Sequence, residues 1–312
     1  MHNAAPLPAC RMGIDLGGSK IEIIALDVQG NTLFRRRIPT PQSDYMATVM
    51  AIAGLVESAE HALQQHGSVG IGIPGAESLD TGLIKNANST CLIGKPLRRD
   101  LQTLLQREVR ISNDANCFVL SEATDGAAAG ASVVFGVILG TGVGGALCIH
   151  GQVLEGANRI AGEWGHNPLP SPAANDLPLR PCYCGRQGCI ETYLSGPAVE
   201  QEHALINGAD RHVPLLSLQK ISANATLGDP ACERTLAIYS ERLARALGSV
   251  INVVDPEVIV LGGGVSQIPQ LYEQAPRLWA RYIFSDSVRT RLVPPHHGDA
   301  SGVRGAAWLW NH

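Results

Sequence analysis

The chain has 312 residues, of which 45% are hydrophobic and 17% charged, so it can bury a sizeable core and is not expected to be disordered. Its net charge of −4 argues against a nucleic-acid partner, because proteins that bind nucleic acid normally carry a basic surface. A chain of this length is expected to form about two domains, since domains average roughly 100–200 residues.

The beginning of the chain carries no apolar segment of the length that a signal peptide needs, and we expect a flexible N-terminus over residues 1–11 of a cytoplasmic protein. The uncharged stretch Ala127–Ile149 is long enough to span a membrane. Its six glycines instead indicate a strand, a glycine turn and a second strand. We therefore expect no contact with a membrane.

Apolar runs that end in glycine-rich turns occur three times along the chain, in Met12–Lys20, Val134–Ile149 and Val258–Ser266. Between them, apolar residues at helical spacing predict helices, which lie at Tyr45–Gln65, Asp100–Arg107 and Cys232–Asn252. Strands that alternate with helices are typical of an α/β architecture.

The first two glycine turns each connect two strands, which predicts two related lobes that face a cleft. We place an N-terminal α/β lobe at residues 12–122 and a C-terminal α/β lobe, with a metal site, at residues 123–300. The small-residue stretch "DGAAAGAS" marks the boundary. A C-terminal helix at 301–312 is expected to join the first lobe.

The glycine turns are candidate phosphate sites, because glycine lets backbone N–H groups converge on an anion. Asp15, Ser19 and Lys20 add a carboxylate, a hydroxyl and a cation at the first turn. The dinucleotide pattern G-x-G-x-x-G occurs at residues 70–75 and 140–145, but neither copy precedes the helix that the motif requires. The turns therefore favour a nucleotide held between lobes over an NAD-dependent dehydrogenase.

A candidate catalytic base lies in "VRISNDANCFVLSEA", which predicts a strand, a turn and a helix. Asp114 follows the strand, where open α/β sheets place residues that contact ligands. One interpretation is that Asn113 or Asp114 only caps the helix. The other is that Asp114 accepts a proton from a substrate hydroxyl during phosphoryl transfer, with the turn that ends at Gly75 as a wall of the same site.

Three cysteines, Cys182, Cys184 and Cys189, lie on one short loop. In the cytosol thiols stay reduced, so such a cluster indicates a metal site rather than a disulfide. Structural zinc has four tetrahedral ligands, often three cysteines and one histidine, and His166 is the fourth candidate. Asp176 and Glu191 are rival ligands by proximity, and three reduced thiols without metal are the alternative.

Two carboxylates accompany the predicted zinc site. Glu163 lies three residues before His166, and Glu191 lies two residues after Cys189. Carboxylates and an imidazole that face a cleft suit a polyhydroxylated ligand, because each can form charge-assisted hydrogen bonds with hydroxyl groups.

These motifs together resemble the ROK family of bacterial sugar kinases and repressors, from about Met12 to Trp310. The segments that carry the resemblance are "DLGGSK", "GIPG", "NDAN", "LGTGVGG", "GEWGH", "CYCGRQGCIE" and "VLGGGVS". The resemblance implies a two-lobed actin-like, ribonuclease-H-like ATPase fold with a zinc-stabilised loop region. It also implies ATP with Mg²⁺, a small-molecule sugar substrate and a homodimer.

The same resemblance implies roles for individual residues. Asp114 is the catalytic base, and the sugar contacts are Gly75, Asn113, Asp114, Glu163, His166 and Glu191. The zinc ligands are His166, Cys182, Cys184 and Cys189. The groups that bind ATP and Mg²⁺ are Asp15, Gly17, Gly18, Ser19 and Lys20 at the first turn, Thr141, Gly142, Gly144 and Gly145 at the second, and Gly262, Gly263 and Gly264 at the third.

Within the family, "KNANST" (Lys85–Thr90) followed by "GEWGHNPLP" most resembles the fructokinase members. We therefore expect ATP-dependent phosphorylation of a sugar 6-hydroxyl, with fructose converted to fructose 6-phosphate. Kinases of N-acetylglucosamine or of glucose and mannose are the alternatives. An alternative of another class is a non-catalytic, sugar-responsive regulator. The repressors of the family have an N-terminal helix-turn-helix domain, and from the eleven residues before Met12 we expect none in this protein.

Overall fold

The computed structural model describes residues 10–87, 89–208 and 214–310. The strands are β1 (Arg11–Leu16), β2 (Lys20–Leu26), β3 (Thr32–Pro39), β4 (Ser68–Ile73), β5 (Ala76–Glu77), β6 (Ile84–Lys85), β7 (Val109–Asn113), β8 (Val133–Leu139), β9 (Val143–Ile149), β10 (Gln152–Val153), β11 (Val258–Gly262) and β12 (Arg291–Val293). The helices are α1 (Tyr45–Leu63), α2 (Leu97–Leu105), α3 (Asp114–Thr124), α4 (Glu191–Leu194), α5 (Gly196–Ile206), α6 (Leu218–Thr226), α7 (Pro230–Val254), α8 (Leu271–Trp279) and α9 (Ser301–Trp308).

The chain forms two compact units. The first contains residues 1–130, 151–161 and 296–312, and the second contains residues 131–150 and 162–295. The first unit therefore includes 123–130, 151–161 and 296–300, which we predicted to belong to the second lobe. Residues 123–130 stay with the first unit because the N–H groups of Ala127 and Ala128 donate to Glu122 of α3. The segment 151–161 is held there by Arg159, which donates to the carbonyl oxygen of Glu77 at 3.2 Å.

The N-terminus predicted to be flexible falls mostly on residues 1–9, which lie outside the described residues. Cys10 and Arg11, at the end of that segment, are buried, and Arg11 begins β1. The guanidinium of Arg11 lies over the ring of Trp308 at 5.0 Å. Cys10 and Arg11 therefore belong to the folded part of the protein, although the sequence pattern predicts them to be flexible.

The first unit is built on a sheet with the strand order β3-β2-β1-β4-β7. β1 runs antiparallel to β2 and parallel to β4, and β4 runs parallel to β7. The helix α9, predicted to join this unit, lies directly on the sheet, because a Cβ on Gly13 would be 2.0 Å from the carbonyl oxygen of Val303. A Cβ on Gly70 would be 1.9 Å from that of Ala306. Close helix packing, rather than a nucleotide motif, accounts for Gly70.

The sheet of the second unit has the same pattern of strand directions. β8 runs antiparallel to β9 and parallel to β11, which runs parallel to β12. The helix predicted at Cys232–Asn252 is α7, which begins earlier because Asp229 caps it by accepting from the N–H of Cys232 at 2.9 Å. Its buried face packs in a core shared with β8, β11 and α8.

The uncharged stretch Ala127–Ile149 forms β8 and β9, as the glycine pattern predicts. In the described ranges, no helix combines the length and the apolar composition needed to cross a membrane.

Candidate functional site

The first glycine turn connects β1 to β2. The N–H of Gly17 donates to the carbonyl oxygen of Lys20 at 3.0 Å, and Gly18 and Ser19 are exposed. Thr40 supports the turn from behind, because its hydroxyl donates to the carbonyl oxygen of Gly17 at 2.7 Å and its N–H to that of Ser19 at 3.0 Å. Sequence reasoning missed Thr40, since it lies 23 positions from Gly17 and belongs to no motif.

Two carboxylates, Asp15 near the end of β1 and Asp114 directly after β7, interact electrostatically. Burial, followed by the nearby charges of Asp114 and Glu22, raises the pKa of Asp15 to about 6, while Lys20 and Arg37 act in the opposite direction. Asp114 is exposed, at the first position of α3. The structure therefore brings together a half-buried carboxyl and an exposed one.

Asn113 is the residue that caps α3. Its side-chain oxygen accepts from the N–H of Ala115 at 2.8 Å, and Oδ1 of Asp114 accepts from the same group at 2.8 Å. The amide of Asn113 donates to the carbonyl oxygen of Gly75 at 3.0 Å. Gly75 has φ of +91°, and a Cβ there would lie 2.5 Å from the carbonyl oxygen of Lys85, so this turn requires glycine. Gly75, Asn113 and Asp114 thus form one continuous polar edge.

The raised pKa of Asp15 predicts a pH dependence of stability. Its carboxyl keeps a proton up to about pH 6 when folded but loses it near the ordinary pKa of 3.8 when unfolded. The contribution of Asp15 to the free energy of unfolding of the ligand-free protein should therefore fall as the pH rises from 4 to 6. Asp15→Asn should remove this fall and add about 2–3 kcal/mol above pH 6, measured by urea unfolding at several pH values. Equal pH profiles for the two proteins would contradict this.

In the second unit, the turn between β8 and β9 is tied to α4. Oε2 of Glu191 accepts from the N–H of Val143 at 2.9 Å, and a Cβ on Gly142 would lie 2.7 Å from the same oxygen. Thr141 is exposed at the tip of the turn. The predicted sugar-binding carboxylate Glu191 and the predicted phosphate turn are therefore neighbours.

Gly144 and Gly145, predicted to belong to a phosphate loop, lie inside β9. The indole N–H of Trp164 donates to the carbonyl oxygen of Gly144 at 2.9 Å. A Cβ on Gly145 would lie 2.8 Å from the indole ring, which packs edge-on against Phe135. The need for glycine at 145 thus comes from the packing of Trp164, a contact that the sequence motif does not reveal.

The third glycine turn follows β11. Gly263 has φ of +82°, and a Cβ there would lie 2.4 Å from the carbonyl oxygen of Leu139 in β8. Gly262 is buried at the end of β11, and Gly264 is exposed with open space around its Cβ position. The turn therefore presents Gly264 to solvent and uses Gly263 to approach the neighbouring strand.

His166 and the three cysteines of the loop form one cluster. Their ligand atoms all lie within 4.8 Å of one another, and Nδ1 of His166 lies 3.6 Å from Sγ of Cys182. Hydrogen bonds from Arg186 lower the pKa of the Cys184 thiol to about 6, which favours the thiolate that binds metals. Three thiolates and one imidazole nitrogen in this arrangement fit a tetrahedral structural zinc ion.

The two rival ligands have other partners: Glu191 accepts from Val143, as described above, and Asp176 pairs with two arginines. Asp176 is buried and accepts from Nε of Arg242 at 2.7 Å and from Nη2 of Arg245 at 2.8 Å. Burial alone would raise its pKa, but hydrogen bonds from Arg245, Ala173 and Arg242 hold the pKa below the ordinary value. This ion pair anchors the segment between His166 and Cys182 to α7 and does not take part in the metal cluster.

Removing the charge of Asp176 should be costly, because it leaves two buried guanidinium groups without their shared partner. We expect Asp176→Asn to lower the free energy of unfolding by about 3–5 kcal/mol without changing bound zinc, measured by urea unfolding and elemental analysis. Asp286→Asn, at an exposed position, is the control. Loss of zinc in Asp176→Asn would show that Asp176 acts on the metal cluster.

Glu163 is exposed and precedes a short 3₁₀ turn at Trp164–His166. Gly165, in that turn, packs against β9, since a Cβ there would lie 2.0 Å from the carbonyl oxygen of Val143. The turn thus presents the carboxylate of Glu163 and the ring of His166 from a fixed backbone. Nε2 of His166 lies 3.0 Å from the hydroxyl of Tyr183, a partner that sequence reasoning missed.

Comparison with known proteins identifies the family. Residues 11–312 match the ROK family model. An N-acetyl-D-glucosamine kinase of Pectobacterium atrosepticum is 41% identical over 301 residues, covering 95% of this chain and 97% of the relative. One from Yersinia pseudotuberculosis is 39% identical over the same length and shares of the two chains.

Solved structures agree with this relationship. A ROK hexokinase from Thermus thermophilus superimposes with a TM-score of 0.83 at 30% identity, covering 96% of each chain. A ROK family glucokinase from Streptomyces griseus, in complex with glucose and AMPPNP, has a TM-score of 0.74 at 27% identity, covering 96% of this chain and 98% of that one. The chain belongs to the ROK family, and the predicted two-lobed sugar-kinase fold is confirmed.

Proposed function

We propose that this protein is an ATP-dependent sugar kinase that phosphorylates the 6-hydroxyl of N-acetyl-D-glucosamine. The observation that carries the proposal is the edge formed by Gly75, Asn113 and Asp114, where an exposed carboxylate follows a capping amide that is bonded to a glycine turn. Relatives named N-acetyl-D-glucosamine kinase, at 39–41% identity over 95% of the chain, support the choice of substrate.

The reaction needs a base, a phosphate site and contacts that orient the sugar. Asp114 accepts the proton of the attacking hydroxyl, and Asn113 holds the sugar beside it. The N–H groups of the first glycine turn, which Thr40 supports, bind phosphate oxygens together with Lys20. Asp15 would hold the divalent cation that accompanies ATP. Mg–ATP supplies the phosphoryl group that is transferred.

In the second unit, Glu163, His166 and Glu191 are the proposed sugar contacts, and Thr141 and Gly142 contact phosphate. The fit of the Cys182, Cys184, Cys189 and His166 cluster to zinc supports a structural role for the metal. In that role His166 and the three cysteines would hold a zinc ion that stabilises the loop before Glu191 and α4, without a part in the reaction.

The earlier expectation of fructose is not supported by the relatives described above. It depends on "KNANST", and Asn88 of that segment lies outside the described residues. Elsewhere in the segment, the carbonyl oxygen of Lys85 limits the space at Gly75. This packing role is compatible with many substrates. Glucose is the second candidate, because a related glucokinase structure contains glucose.

The test is ADP release by the purified, zinc-replete protein with N-acetyl-D-glucosamine, glucose, mannose and fructose. We expect the highest kcat/KM with N-acetyl-D-glucosamine, by a factor of ten or more, which corresponds to about 1.4 kcal/mol of transition-state binding. A higher kcat/KM with fructose or glucose would overturn the choice of substrate. If no sugar stimulates ADP release, the assignment as a kinase is wrong.

A further inference from the structure

Tyr183 lies between two of the predicted zinc ligands, Cys182 and Cys184, yet 83% of its surface is exposed. The loop that carries it is closed by hydrogen bonds, because the N–H of Cys182 donates to the carbonyl oxygen of Arg186 at 2.9 Å and that of Gly185 to Cys182 at 3.0 Å. The backbone of Tyr183 is thus held on both sides, while its ring has little packing to lose when it rotates.

The hydroxyl of Tyr183 lies 3.0 Å from Nε2 of His166. The two rings meet edge to face, with centroids 5.1 Å apart and an angle of 87°. Because Nδ1 of His166 faces the sulfur of Cys182, a zinc ion would take Nδ1. Nε2 then carries the proton and is the donor left for a hydroxyl oxygen.

The same hydroxyl lies among the proposed sugar contacts. Nε2 of His166, one of those contacts, lies 3.0 Å from it. Tyr183 therefore takes the hydrogen bond that Nε2 could otherwise make with a sugar hydroxyl.

We propose that Tyr183 is a specificity-determining gate over the sugar site: its hydroxyl takes the hydrogen bond of His166 Nε2 in the ligand-free protein and gives it up when a sugar hydroxyl binds. The inference rests on the proposed function for the identity of the sugar. Because the ring is exposed, it rotates away without losing core contacts. Sugar binding therefore loses only the hydrogen bond between Tyr183 and His166. A sugar without a hydroxyl oxygen placed to accept from Nε2 does not compensate for that lost hydrogen bond.

The first test measures sugar affinity in Tyr183→Phe, which keeps the ring and removes the competing hydroxyl. We expect the Kd for N-acetyl-D-glucosamine, by calorimetry, to fall about three- to ten-fold, as the loss of one competing hydrogen bond predicts. KM should fall with it, while kcat and bound zinc stay unchanged. Tyr282→Phe, which removes a hydroxyl that donates to Glu241, is the matched control and should alter none of these values.

The second test needs no sugar and so separates this inference from the proposed function. In zinc-loaded protein labelled with ¹⁵N-histidine, Tyr183→Phe should shift the His166 Nε2 resonance and speed exchange of its proton with water. An unchanged Nε2 signal would overturn the inference even if the protein is a kinase. If the wild-type protein binds none of the sugars, the proposed function fails, and a changed Nε2 signal still supports the Tyr183–His166 bond.

The remaining outcomes are also decisive. An unchanged Kd in Tyr183→Phe means that the hydroxyl does not compete, and a higher Kd means that it contacts the sugar directly. Loss of zinc means that Tyr183 serves the metal site. Each of these three results overturns the gate.

Discussion

Asp114→Asn is expected to lower kcat about a thousand-fold while the Kd of the sugar changes little. The asparagine keeps the shape of the side chain and can still accept from the N–H of Ala115, as Asp114 does now. It cannot take the proton of the attacking hydroxyl, and a positioned base contributes typically 10²–10⁴-fold to the rate. The measurements are steady-state ADP release and calorimetric titration with N-acetyl-D-glucosamine.

Asp229→Asn is the matched control, because Asp229 also lies at the start of a helix and its side chain accepts a backbone N–H, in α7. It should leave kcat within about two-fold of wild type, because it lacks contact with the reacting groups. If Asp114→Asn and Asp229→Asn gave the same kcat, Asp114 would serve only the helix terminus, and the capping interpretation would stand alone.

Cys182→Ala is expected to abolish stoichiometric zinc binding and to lower the Tm by about 10 °C or more. Structural zinc contributes apparent binding free energies of about 10–16 kcal/mol in small zinc peptides. If the free energy of unfolding falls by only about 4 kcal/mol, the Tm of a protein with units of this size falls by about 8–16 °C. Elemental analysis and differential scanning calorimetry measure the two effects, and a chelator should reproduce them in the wild-type protein.

Cys232→Ala is the control for this prediction. Cys232 is buried in α7, and burial raises the pKa of its thiol to about 11, so it is a neutral packing residue at pH 7. This variant should keep one zinc ion per chain and lose at most a few degrees in Tm. If Cys182→Ala kept its zinc, the cluster would hold metal without Cys182, and Asp176 or Glu191 would have to be considered again as ligands.

The two units could be predicted in outline but not in their boundaries. Strands that alternate with helices, and two strand–turn–strand repeats, are local patterns that the sequence shows directly. The position of residues 123–130 depends instead on Glu122, a fully buried carboxylate that accepts from the N–H groups of Ala127, His296 and His297. These donors lie up to 175 positions from Glu122 in the sequence, and no local sequence pattern indicates so distant a partner.

Within the site, the sequence by itself determined the elements whose chemistry is local. The spacing of Cys182, Cys184 and Cys189 predicts a metal site because three thiolates on one short loop can reach one ion, and the position of Asp114 after a strand places it at a sheet edge. The tertiary structure decided what each group faces: Asp176 faces two arginines, Gly145 faces Trp164, and His166 faces Tyr183. Local spacing sets which atoms one loop can bring together, whereas burial, charge pairing and close packing depend on segments far apart in the chain that meet only when it folds.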